Sequence, residues 1–128
     1  MGYILCPKGT PDIHKHWALH RLITCQVLKI EVIPKGFHVH HRDCDKVNNA
    51  KENLALLTRS DHFWLHSEFG NSPLKGFMQG EISLSQLLKW SKDPVRAKQL
   101  LLTSILNQNV ESLGIPSRSP IKNITNNE

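Results

Sequence analysis

The stretch from Phe37 to His66 leaves this chain few ways to fold. It opens with Phe37-His38-Val39-His40-His41, where bulky apolar and polar side chains alternate at period two, the pattern of a short strand. Asp43-Cys44-Asp45-Lys46-Val47-Asn48-Asn49 follows, turn chemistry in which Asx side chains bond nearby backbone and tolerate unusual dihedrals. Leu54-Ala55-Leu56-Leu57 reads as the return strand. Thr58 or Ser60 then caps a helix that carries His62, Trp64, Leu65 and His66 and stops at Gly70. The order strand, strand, helix predicts a hairpin with one helix packed across it.

Histidine supplies the chemistry. All eight histidines fall between His14 and His66, and imidazole both binds metals and moves protons near neutral pH. His62 and His66 stand four apart, so both rings leave one helix face a turn apart, the spacing that offers two nitrogens to one ion. His40 and His41 are consecutive on a strand and point to opposite faces. One of them can join the helix pair as a third ligand, and the other is left beside the ion, where a general base works. Three protein ligands with an open position mark a catalytic metal. Two plainer readings compete: His62 and His66 as a solvated pair on an amphipathic helix, or a structural zinc closed by Cys44 as fourth ligand.

The segment HVHHRDCDKVNNAKENLALLTRSDHFWLH resembles the HNH nucleases through His-His-x-Asp, Asn-Asn, Asn-Leu and His-x-x-x-His in that order. The upstream HRLITCQVLKIEVIPKGF is similar to the helix and loop of phage-encoded and intron-encoded members. The resemblance implies an α+β fold with a ββα-metal core, an N-terminal helix and further C-terminal helices. It implies His40, His62 and His66 as metal ligands, His41 as the base that activates water, and Asn53 as the amide that holds the hairpin loop and helps orient that base. Asp43 and Asn49 match loop-bracing positions. The turn departs from many relatives at Cys44-Asp45, where a glycine is common. The activity implied is hydrolysis of double-stranded DNA to 5′-phosphate and 3′-hydroxyl ends with one divalent ion (Mg, Mn, Zn, Ni or Co), in a phage homing-type enzyme acting in the cytoplasm of a bacterial host as monomer or homodimer. Its alternatives are a nuclease-derived DNA-binding module with structural zinc, or a restriction-type or toxin-type nuclease.

Composition agrees with a nucleic-acid partner without demanding one. The 128 residues carry 16 Lys and Arg against 11 Asp and Glu, a net charge of +5, which suits a polyanion. Three cysteines without a CxxC pair point to reduced thiols. No apolar run approaches the ~18 residues of a spanning helix, and MGYILCPKGTPD lacks the pattern of a secretory signal.

The rest of the chain divides, on this reading, into a nuclease core over 1–72 with its ββα motif at about 37–70, a helical extension over 73–116, and a flexible tail over 117–128. Residues 1–12 read as irregular. A first helix is expected from an Asp12 cap through Ile13, Trp17 and Leu28 to about Lys29–Glu31. Asn71 to Gly80 reads as a linker. Ser83 opens one helix and Asp93-Pro94 a second, whose Leu101, Ile105 and Leu113 share a face until Gly114 and Pro116 end it. Arg42, Arg59, Lys89 and Arg96 are the expected DNA contacts, with Lys92 and Lys98 near the last two. His14, His16 and His38 are expected at the surface, and Trp17, Phe63 and Trp64 in the core. His20 is expected to brace the hairpin or to touch phosphate.

Overall fold

Residues Phe37–His41 (β1) and Leu54–Thr58 (β2) pair antiparallel as a two-stranded sheet in the computed structural model of the protein, which describes residues 18–115. The register sets His40 opposite Ala55 and His41 opposite Leu54. Beyond the last pair, the Arg42 N–H donates to the Asn53 carbonyl at 2.7 Å, so the ladder runs into the connecting loop. Helix α1 (Leu19–Leu28) precedes the hairpin and α2 (Arg59–Phe69) follows it, capped by the Thr58 hydroxyl, which accepts from the Asp61 N–H. Helices α3 (Asn71–Met78), α4 (Leu84–Trp90) and α5 (Pro94–Leu101) complete an α+β fold with a ββα unit, β1–β2–α2, at its centre.

Strand β2 is buried on both faces, with Leu54, Ala55, Leu56 and Leu57 all at most 3% exposed. A strand covered on both sides carries an unbroken apolar run instead of alternation, which is why Leu54-Ala55-Leu56-Leu57 has no polar member. Leu54 and Leu56 pack with Cys25 and Leu28 of α1, then Ile30, Ile33, Ile105, Val110 and Ile115. Ala55 and Leu57 pack with Leu65 and Phe69 of α2, Leu74 of α3, Leu87 of α4 and Leu100 of α5. The hairpin is therefore clamped between two apolar clusters, and the C-terminal helices build most of the second.

Three elements depart from the sequence expectation. Helix α1 begins at Leu19 with Ala18 extended as its N-cap, so Asp12 does not cap it. Asp12 itself lies outside the described residues, as do Cys6, His14, His16, Trp17, Pro116 and the tail over 117–128. The expected linker from Asn71 is helix α3. Pro73 sits in its first turn, where a missing N–H breaks no helical bond, and Leu74, 2% exposed, secures the helix from the core. Gly76 allows α3 to meet the following loop, because a Cβ there would stand 2.8 Å from Ile82 Cδ1. Finally, the helix from Pro94 stops at Leu101 instead of running to Leu113. Asn107 accepts from the Ser104 N–H and donates to the Leu102 carbonyl, both at 3.0 Å. Side-chain amides here offer the backbone an alternative to helix. Only a short 3-10 turn, Val110–Leu113, precedes Gly114.

The helix starts were legible. Ser83 accepts from the Gln86 N–H at 3.2 Å, and Asp93 accepts from the Arg96 N–H at the same distance with Pro94 first in its helix.

Candidate metal and catalytic site

Period two along β1 sends His38 and His40 to the face that meets α2. His62 and His66, one turn apart on α2, close on His40 from the other side. Ring centroids stand 5.1 Å apart for His40 with His62, 5.1 Å for His40 with His66 and 4.8 Å for His62 with His66. One nitrogen from each of the three rings lies within 4.8 Å of the others. Ligands at ~2.1 Å around a tetrahedral ion stand roughly 3.4 Å apart, so small ring rotations bring this trio to bonding positions.

The electrostatics of the trio suit a cation. Burial, with His62, His66, His41 and Arg42 adding repulsion, pushes His40 down to about 2. Burial again, with His66, His38 and His41 nearby, takes His62 down to about 4. At neutral pH both rings are uncharged and present lone pairs, the state in which imidazole ligates. His40 Nδ1 is buried with no hydrogen-bond partner, a polar atom that a bound ion would satisfy. Three imidazoles form a donor set for a borderline ion such as zinc, nickel or cobalt. Cys44, the expected closing ligand of a structural zinc, is not in the metal-ligating group found among the described residues. It lines instead, with His41, Lys46, His62, His66 and Asn71, an open pocket of about 140 Å³.

His41 leaves the opposite face of β1 and is 6% exposed, its ring 5.0 Å from that of His20 on α1. His20 is buried there as a brace, and burial, followed by His41 and Arg21, lowers it to about 4. The Asn49 side-chain oxygen Oδ1 lies 2.9 Å from His41 Nε2. A carbonyl oxygen only accepts, so Nε2 carries hydrogen and the neutral ring has its lone pair on Nδ1. Orientation of this ring therefore comes from Asn49, a residue expected only to brace the loop.

Asn53 is engaged elsewhere. Its Oδ1 accepts from the Asp43 N–H, and its Nδ2 donates to Asp43 Oδ1 and to the Asn48 carbonyl, each at 2.9 Å. Burial alone would raise the Asp43 carboxyl. Hydrogen bonds from Asn48, the Asp45 N–H and Asn53, with His41 nearby, hold it below its usual value instead. Cys44 takes the turn's left-handed backbone at φ +64°, a conformation costly for most L-residues. Its thiol, raised to about 11 chiefly by burial and then by Asp43, stays protonated.

Two further side chains touch the trio. His38, expected at the surface, has Nδ1 2.9 Å from His62 Nδ1. Its position two residues before His40 on one strand was the available signal. Asn71 Oδ1 lies 3.0 Å from His66 Nδ1, and nothing in the linear sequence announced it.

The expected DNA contacts separate into two kinds. Arg42 donates to the Glu52 carbonyl at 2.9 Å and to the Leu101 carbonyl at 2.6 Å, joining the loop to the end of α5. Arg96 binds Asp61 through Nε at 3.2 Å and Nη2 at 2.8 Å, and its guanidinium lies 4.6 Å from the centre of the Trp64 ring. Both arginines are ties within the fold. Arg59 and Lys89 are exposed. Arg59 lies 5.7 Å from the ring centre of Phe63, which is 61% exposed and thus not the core residue expected, whereas Trp64 does pack against the second cluster.

Among the described residues no helix is long and apolar enough to cross a membrane. No curated protein and no solved structure gives a significant match to the chain. Residues 31–63 do match a family model, described as HNH endonuclease, and the matched stretch holds β1, the Asx loop, β2 and the start of α2. That match, together with the ββα unit that carries its histidines, supports the HNH endonuclease family for this segment of the chain.

Proposed function

We propose that the protein is a metal-dependent endonuclease that hydrolyses phosphodiester bonds in double-stranded DNA, leaving 5′-phosphate and 3′-hydroxyl ends. The observation that carries this reading is the meeting of three imidazoles from β1 and α2 within 4.8 Å, with His41 lining the same pocket as His62 and His66. The phosphodiester anion repels nucleophiles and its alkoxide leaves poorly. A divalent ion (Mg, Mn, Zn, Ni or Co) held by His40, His62 and His66 would neutralise charge at the phosphate and the leaving oxygen. His41, turned by Asn49 so that Nδ1 carries the lone pair, takes the proton from the attacking water. Asn53 serves the reaction by holding the loop from which Asn49 projects. Arg59 and Lys89, exposed cations, contact the DNA backbone, the second from the helical part over 73–116. The upstream segment's resemblance to phage-encoded and intron-encoded members supports a homing-type role in the cytoplasm of a bacterial host.

Metal analysis combined with plasmid nicking tests this. Wild type should bind one divalent ion per chain and nick supercoiled DNA. His41→Ala should keep the ion and lose about 10²- to 10⁴-fold in rate, while His62→Ala should lose both ion and activity. Wild type that cuts DNA with none of the five ions would overturn the reading.

A further inference from the structure

We infer that Asn71 is a positioning residue that sets which nitrogen of His66 is offered to metal, an inference that rests on the trio being a metal site. Helix α2 ends at Gly70, whose backbone takes φ +81°, a conformation that L side chains rarely adopt. The chain turns sharply there, α3 starts at the next residue, and the Asn71 side chain returns to the helix just left. Its Oδ1 sits 3.0 Å from His66 Nδ1. Because a carbonyl oxygen can only accept, Nδ1 carries the hydrogen and the lone pair of the neutral ring lies on Nε2. The two nitrogens of imidazole are distinct, and the bond made by one decides what the other can do. Such an acceptor behind a ligating imidazole fixes its tautomer and raises its basicity.

His66 and Asn71 both lie beyond residue 63, where the family match ends. The third ligand and its anchor thus lie just past the matched hairpin. Asn71 also lines the pocket that His66 and His62 share, so it stands at the site and not merely under it. The side chain is exposed, and removing it leaves no cavity in either apolar cluster.

Two measurements on the full chain decide the matter. Long-range ¹H–¹⁵N spectra of the metal-free protein should show His66 protonated at Nδ1 in wild type and at Nε2 in Asn71→Ala, the tautomer an unconstrained imidazole favours. Competition with a chromophoric chelator at pH 7.5 should show Asn71→Ala binding Zn²⁺ about 10- to 100-fold more weakly than wild type. Asn71→Asp, which keeps the acceptor, should bind at least as tightly as wild type, and all three metal-free proteins should melt together. A wild-type His66 protonated at Nε2, or an Asn71→Ala variant with wild-type zinc affinity, would overturn the role of Asn71 alone. A wild type that takes up no zinc or other divalent ion would overturn the metal site with it.

Discussion

Asn53 makes three hydrogen bonds from a side chain only 3% exposed, and no other side chain supplies one acceptor and two donors in that shape. Asn53→Ala should therefore destabilise the protein by about 2–4 kcal/mol, since it removes several bonds and strands buried partners. Urea unfolding checks this, and a loss below about 1 kcal/mol would mean the loop is held otherwise. The spacing of Asn48, Asn49 and Asn53 was readable as loop chemistry, but the division of labour among them was not. Which amide turns back to Asp43 and which reaches His41 depends on the path of the loop, including the left-handed turn at Cys44, and a linear pattern does not encode that path. His38 is the contrary case: period two already aimed it at the face where His40 sits.

Among the described residues, strand β2 has β1 on one edge and no strand on the other. Bare edges are a hazard, and this one is covered by the chain after α5. The Ile105 N–H donates to the Leu54 carbonyl, while Gln108 accepts from the Leu56 N–H and donates to the Leu56 carbonyl, each at 2.8 Å. One side-chain amide imitates a neighbouring strand. Gln108→Ala should cost about 2–3 kcal/mol in equilibrium unfolding, because both polar groups of a buried residue lose their partner. Gln108→Glu, which keeps the acceptor but not the donor, should lose at least as much. This covering explains why the helix from Pro94 ends early: its continuation is needed at the sheet edge. Helical spacing of Leu101, Ile105 and Leu113 was real in the sequence, yet Ile105 and Leu113 reach the first cluster from a turn, since burial requires apolar side chains and not a particular backbone. Helix α3 errs in the other direction, its Pro and Gly reading as a linker until Leu74 is seen buried.

For the whole molecule, two buried imidazoles, His20 and His40, and the half-buried His62 set the response to acid. His20 and His62 are lowered to about 4 and His40 further, each first by burial, whereas in the unfolded chain all three titrate near 6.5. Between about pH 6.5 and 4 the unfolded state thus binds more protons, so stability is full above that window and declines as pH falls through it. Chelator-treated protein should show a urea midpoint that is flat above neutrality and drops from about pH 6.5 towards 4. A flat midpoint across that range would mean these rings are not buried in neutral form. Saturating zinc should raise the midpoint at pH 7.5, by a margin that shrinks on acidification because ligands must be deprotonated. The sequence by itself determined the ββα order, the helix caps at Ser83 and Asp93, and the imidazole pairs at His40-His41 and His62/His66, because periodicity, capping and i,i+4 spacing act over a few residues. Only the tertiary structure decided that Asn49 holds His41, that Asn71 stands behind the trio, and that Arg42 and Arg96 tie the fold together. Those contacts join residues that no local rule brings together, and burial of β2 on both faces is what brings their elements within reach.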